Sequence, residues 1–235
     1  TPKFIIPFAS FVRFSHKDNF YMNDEMNQIQ DVENFILSKT NSIPVILYPG
    51  DEWLGKNKTD NSVAIKNYQL DLEKNKELYE KIDLIEDEKL QNLALSYVEN
   101  IKKRNNWFFI TLLHKIGFFK TTTIFLNDKN LSYKFNLIDG LQKFQIKKSK
   151  VDIITDSDSL GFVFSWDYGM DSLFVNARFR TSGGKVMNFF RLFLIGTLNN
   201  NGRTFPMGVI GFLFNEKSMW KTKFLEIILG KYAIK

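Results

Sequence analysis

No cysteine occurs in the 235 residues, which excludes a disulfide scaffold, a thiolate zinc site and a cysteine nucleophile. The same absence fits a reducing compartment, so a cytoplasmic location is the expectation. Imidazole is nearly as scarce, with His16 and His114 the only two histidines. No H-x-H-x-D-H run, no H-E-x-x-H motif and no histidine pair at ligand spacing is present, and a self-contained zinc hydrolase needs one of these. A nucleophile elbow, a phosphate loop and a dinucleotide fingerprint are missing too. The apolar stretches at 186–198 and 205–214 are shorter than the ~20 residues of a membrane span. No transmembrane segment is therefore expected, and no signal-peptide pattern is visible at the start.

What is present suits a globular chain: 44% hydrophobic residues, 25% charged residues and 24 phenylalanines. The length allows one large domain or two of about 100–130 residues. Charge divides unevenly, net −2 over residues 1–118 and net +8 over 119–235. A step of that kind marks a domain change, and the basic half invites an anionic partner, against the plainer reading of a solvated lysine-rich surface. The cations are mostly scattered lysines, 26 against six arginines, and no nucleic-acid motif accompanies them, so no nucleic-acid partner is expected.

Along the chain, residues 4–14 read as a strand leaving its sheet near Pro7 or Ala9. Asp24 reads as the N-cap of a helix over 25–38, and residues 43–48 as a second strand stopped by Pro49 and Gly50. Strand, helix and strand at this spacing form a βαβ unit with parallel strands. Residues 68–116 read as helical throughout, with one face carried by Leu90, Leu93, Ala94, Tyr97, Val98 and Ile101 and a second helix from Trp107 stopped at Gly117. From Thr121 the period becomes two, giving a hairpin across residues 127–130 and a second turn at Asp139 and Gly140. Residues 151–155 read as a strand, Asp156 as the cap of a short helix, 173–180 as an alternating strand and 185–198 as a helix. The apolar stretch after Gly202 fits either element. This half reads as α+β, a mostly antiparallel sheet with helices on one side.

Two residues stand out for chemistry. His16 lies in a polar loop after a strand, where α/β sites are built, beside the hydrogen-bonding residues Ser15, Asp18 and Asn19. It is the candidate catalytic or substrate-contacting residue, against the plainer reading of a loop histidine. Asp51, in the turn that ends the second strand, is the candidate metal ligand, against the plainer reading of a turn aspartate. Asp156 and Asp158 lack the spacing of a calcium loop and read as caps. The many phenylalanines read as core, or as the wall of an apolar ligand cavity.

The segments FIIPFASFVRFSHKDNFYMND and PVILYPGDEW are similar to the end of the catalytic domain in one branch of the metallo-β-lactamase superfamily. That branch comprises the metal-dependent hydrolases related to CMP-N-acetylneuraminate hydroxylase. The matching positions are residues 6–11 and 14–16, Asn19, Met22, Asn23, Pro44, Val45, Pro49, Gly50, Asp51 and Trp53. Further on, residues 156–160, Phe162, Gly169, residues 171–173, Val175, Asn176, Arg178 and Phe179 resemble the family's C-terminal pattern, with Ala177 where glycine is expected. That second domain resembles a sterol-carrier-like α+β module.

The resemblance implies three parts. Residues 1–66 form the end of a metallo-β-lactamase-like αββα domain, 67–118 a helical connector and 119–235 the sterol-carrier-like domain. It also implies a metal-dependent hydrolase of a small-molecule substrate, carrying zinc, iron or manganese, whose histidine motif precedes this chain. His16 and Asp51 would line that site. On this expectation the chain is a C-terminal portion, catalytically incomplete alone, and residues 4–8 carry an unpaired strand edge. The hydroxylase's own Rieske chemistry needs cysteine ligands that the chain lacks. The alternative is a non-catalytic module whose second domain takes a lipid, an acyl chain or a partner; the sequence fixes no oligomeric state.

Overall fold

The computed structural model describes residues 2–8, 12–56, 60–79, 81–181 and 185–208. It is α+β and divides into two compact units, Thr1–Lys81 and Ile82–Lys235. Residues 67–118 are shared between these units. No helix among the described residues is long and apolar enough to cross a membrane.

In the first unit, β1 (Phe4–Ile5) and β2 (Ile43–Pro44) pair in parallel around α1 (Ile29–Lys39), as the βαβ reading expected. Both strands are far shorter than residues 4–14 and 43–48. Proline explains this, since Pro7 and Pro44 bring no N–H to a ladder. Backbone bonds from Ile43 to Lys3 and from Val45 to Ile5 flank Pro44. The other side of β2 is satisfied by a side chain: Asn61, the first residue of α2 (Asn61–Lys74), accepts from Ile46 N at 3.0 Å and donates to Pro44 O at 3.0 Å. Ile29, Ile46, Ala64 and Ile65 form the small core beneath.

Asp24 does not cap α1; the helix starts at Ile29 after Gln28, and residues 20–25 form a 3-10 turn. The cause is Asn23. Its side-chain oxygen accepts from Phe14 N, and its amide donates to the carbonyls of Phe14 and Phe20, each at 2.8 Å. That clamp holds the chain in a tight turn just where the helix was expected to begin. The helical block expected over 68–116 is broken once more than the reading of a face at 90–101 and a second helix from Trp107 foresees. The Asn75 side chain bonds back to Asp71 O and ends α2, and helix resumes only at α3 (Asp87–Arg104).

The second unit is built on a four-stranded mixed sheet in the order β5-β4-β3-β6. Strands β3 (Thr122–Leu126), β4 (Leu131–Asn136) and β5 (Gly140–Lys143) form an antiparallel meander, and β6 (Ile153–Thr155) lies parallel to β3. The alternation of apolar side chains sets both faces. Ile124, Leu126, Tyr133, Phe135 and Ile153 enter the main core, while Phe125, Val151 and Ile154 form a smaller cluster on the other side. Helices complete the main core: α3, α4 (Trp107–Lys115), α5 (Ser157–Ser165), α6 (Gly169–Val175) and α7 (Val186–Asn200). Helix α3 presents Leu90, Ala94, Val98 and Ile101 at helical spacing, with Asp87 and Glu88 in its first turn and three cations in its last, which complements its dipole.

Asp87 joins α3 to the sheet. Its carboxylate accepts from Lys129 Nζ at 2.7 Å and Tyr133 Oη at 2.8 Å and pairs with Lys143. The Lys129 ammonium first, then Lys143, hold this carboxyl well below the usual carboxylate range. A depressed folded-state pKa adds stability that is fully present above the unfolded value near ~3.9 and is lost as pH falls below it. Asp87→Asn should therefore lower Tm at neutral pH and flatten the acid side of the Tm–pH curve. Equal acid slopes for the two proteins would contradict this role.

Residues 173–180 are not a strand. Leu173, Phe174 and Val175 end α6, and only Arg180 makes an isolated bridge to Ile154. The helix stops in a Schellman arrangement, with Ala177 N bonding Phe174 O and Arg178 N bonding Leu173 O, and Ala177 has φ of +49°. A left-handed residue at this position is usually glycine. That accounts physically for the glycine expected here, since the αL conformation costs an L-residue ~1–2 kcal/mol. Ala177→Gly should stabilise the second unit by about 1 kcal/mol and raise Tm by roughly 2–4 °C; an unchanged or lower Tm would contradict it.

Candidate functional site

In the first unit, the loops that follow β1 and β2 carry the residues singled out by sequence, as the strand-end rule for parallel sheets predicts. The loop after β1 is fixed by the Asn23 clamp and by Arg13, which bonds Leu78 O at 2.6 Å and Lys76 O at 3.2 Å and lies over the Phe20 ring. His16 is buried within it, as are Asp18 and Asn19. His16 O accepts from Asn19 N, and the ring Nδ1 accepts from Asp18 N at 3.1 Å. A backbone N–H donates only into a ring nitrogen that carries no hydrogen. The neutral ring therefore holds its proton on Nε2, which makes that atom a donor. One imidazole nitrogen of His16 and one carboxylate oxygen of Asp18 lie within 4.8 Å of each other.

The turn after β2 is Tyr48-Pro49-Gly50-Asp51. Gly50 has φ of +96°, and Asp51 N bonds Tyr48 O at 2.9 Å. Proline followed by a left-handed glycine is the type II sequence. Asp51 is exposed, and its carboxylate accepts from Tyr48 N at 2.8 Å, closing its own turn. No hydrogen bond or ion pair joins Asp51 to His16. Trp53 packs edge-on against Phe4 at 4.9 Å. Nearby, Tyr48 Oη donates to Asp71 at 2.5 Å, and that bond raises the phenol's pKa.

Four of the resemblance positions thus have framework jobs: Asn23 clamps, Pro49 and Gly50 turn the chain, and Trp53 covers β1. Asp18 lies beside His16, and sequence reading noted it only as a hydrogen-bonding neighbour. Nothing in its spacing marks it further, because the proximity arises from the turn that brings its N–H onto the ring.

In the second unit, the DSDS segment works as expected, in capping. Asp156 accepts from Ser159 N at 2.7 Å and Ser159 Oγ at 3.1 Å. Asp128, from the hairpin turn, accepts from Ser157 N through both oxygens at 3.0 Å. Carboxylates of the chain itself thus occupy donors at the start of α5, and Asp158 pairs with Arg178 at 3.6 Å. His114, in the last turn of α4, meets Phe119 O through Nδ1 at 2.7 Å. The turn at Gly183 and Gly184 lies outside the described residues.

The aromatic residues of the second unit fill its core. Tyr97, Phe135, Phe164 and Phe193 stand mutually within ring-centroid distances of 5.0–6.3 Å. Burial pushes the Tyr97 phenol well above its ordinary pKa. The described residues line a cleft of about 50 Å³ beside Tyr97, Arg104 and Trp166 and a groove of about 560 Å³ along Phe125, Leu131, Phe144 and Ile146. The cleft is too small for an acyl chain. The groove is an open surface feature beside the β5 edge.

No protein-family model, curated protein or solved structure matches this chain.

Proposed function

We propose that this chain is part of a metal-dependent hydrolase, contributing the β1–α1–β2 segment and its two loops to the site. The observation that carries the reading is the His16 loop: a buried imidazole whose Nδ1 is occupied by Asp18 N, so that Nε2–H is presented as a donor. An imidazole in that tautomer is unsuited to ligate a metal through Nε2 and suited to donate to an oxygen. A catalytic metal takes about three protein ligands, more than these loops supply. The donor set therefore fits a supporting role toward the zinc, iron or manganese that the family resemblance implies.

The metal would supply a bound water of lowered pKa. Asp18 is the better placed carboxylate to face a cation, because Asp51 is turned onto Tyr48 N. His16 holds its proton at Nε2 and donates a hydrogen bond from it to a substrate oxygen that gains charge as water attacks an ester, amide or phosphoester.

Variants of the native protein separate these roles. His16→Gln should lower kcat about 10²-fold or more with bound metal unchanged, while Asp18→Asn should lower the metal content. Loss of metal in His16→Gln would make the residue a ligand and contradict the tautomer assignment. Full activity in that variant would remove it from the site.

A further inference from the structure

Helix α4 is apolar nearly all round, and among the described residues the second unit's core takes only one side of it. Ile110 is fully buried, and Trp107 and Leu113 pack on the main core. Phe108, Phe109, Leu112 and Ile116 are exposed, Phe108 by 70% and Ile116 by 69%. At 3.6 residues per turn these four fall within an arc of about 100°, so they form one continuous stripe. Phe108 and Phe109 meet edge to face at 5.5 Å.

The sequence around the stripe is cationic only. Between Glu99 and Asp128 the sequence contains no acidic residue, and it carries Lys102, Lys103, Arg104, Lys115 and Lys120. All five are exposed. Three of them close α3 immediately before α4, Lys115 is the last residue of α4 and follows Thr111 beside the stripe, and Lys120 lies just beyond. A Phe- and Leu-rich face bordered by lysines is the pattern of a helix that lies in a membrane interface, its apolar side among acyl chains and its cations at anionic headgroups. A protein partner with acidic groups would satisfy the charges, but the aromatic stripe would still need a matching apolar groove. A lipid surface satisfies both features without one.

We infer that α4 is a peripheral docking surface for anionic lipid bilayers, with Phe108, Phe109, Leu112 and Ile116 entering the interface and the five flanking cations binding headgroups. The inference is independent of the hydrolase reading, since it uses no residue of the His16 loop.

Flotation of the full chain with vesicles tests it. The chain should rise with vesicles of phosphatidylcholine plus phosphatidylserine, much less with phosphatidylcholine alone, and binding should weaken as salt is added. Phe108→Glu with Ile116→Glu should lower the partition coefficient about tenfold or more, because both apolar anchors are lost. Lys102→Gln with Lys115→Gln should lower binding to the anionic vesicles by a similar factor and leave the weak binding to neutral vesicles unchanged. Circular dichroism and Tm verify that each variant is folded, and the lysine pair, wholly on the surface, remains informative if the glutamate pair is not. Three outcomes would overturn the proposal. They are absence of binding to anionic vesicles, undiminished binding by both variant pairs, or a concentration-dependent dimer in sedimentation that Phe108→Glu abolishes, which would make the stripe a contact between copies.

Discussion

Alanine at position 169 is expected to cost the second unit on the order of 3 kcal/mol, lowering its Tm by roughly 10 °C. Gly169 begins α6 directly against α5. A Cβ built there meets Phe162 O at 2.5 Å, Val163 Cα at 2.7 Å and Val163 O at 3.0 Å. All three are backbone atoms of a packed helix, so relief requires moving α6 away from the core that Leu173 anchors. Gly161→Ala makes the useful comparison. Its Cβ would meet the end of the Ile85 side chain, which can rotate aside, so the cost should be clearly smaller. Equal losses for the two variants, followed by thermal unfolding, would show that close helix approach at Gly169 is not what limits the site.

Removing the Asp152 carboxylate is expected to cost a similar amount, about 3 kcal/mol for Asp152→Ala. This aspartate is buried at the entry to β6. It accepts from Thr123 N at 2.8 Å, Thr123 Oγ1 at 3.0 Å and Lys185 N at 2.5 Å, and more distantly from Thr122 Oγ1. It therefore ties β3, β6 and the start of α7 together through one group. Alanine deprives each of those donors of this acceptor, and a buried donor without an acceptor costs ~1–3 kcal/mol. Asp152→Asn keeps the shape and one acceptor oxygen and should lose about half as much. A fall in Tm of less than about 2 °C for Asp152→Ala would show that other acceptors replace it readily.

Local signals account for the parts of the fold that were legible. Turn residues at 127–130, with Asn130 left-handed at φ +53°, and Gly140 at φ +70° placed the β3-β4-β5 meander. Asp156 announced α5, and Gly117, at φ +78°, announced the end of α4. Direction and long-range ties were not legible. Nothing in Ile153 and Ile154 says that β6 runs parallel to β3, which follows from the path of residues 144–152. The alternation in LFVNARFR mimicked a strand because a helix end, a left-handed residue and a bridge happened to follow one another, and Val175 is in fact 71% exposed. Asp152 collects donors from 29 and 33 positions away, a relation no short-range pattern encodes.

The candidate site divides in the same way. His16 and Asp51 were found by their position after strands, and both lie in such loops. What separates them is visible only in three dimensions: the His16 ring is buried and oriented by Asp18 N, whereas the Asp51 carboxylate closes a turn at the surface. The roles of Asn23 and Asn61 as stand-ins for backbone pairing were likewise hidden, because an asparagine in a polar stretch looks like any other until its partners are placed.

Metal analysis of the native protein, isolated without chelators, tests the hydrolase proposal most directly. The expected result is close to stoichiometric zinc, iron or manganese, with hydrolysis of an ester, amide or phosphoester lost on chelation and restored by the metal. Absence of all three metals, together with activity indifferent to chelators, would contradict it.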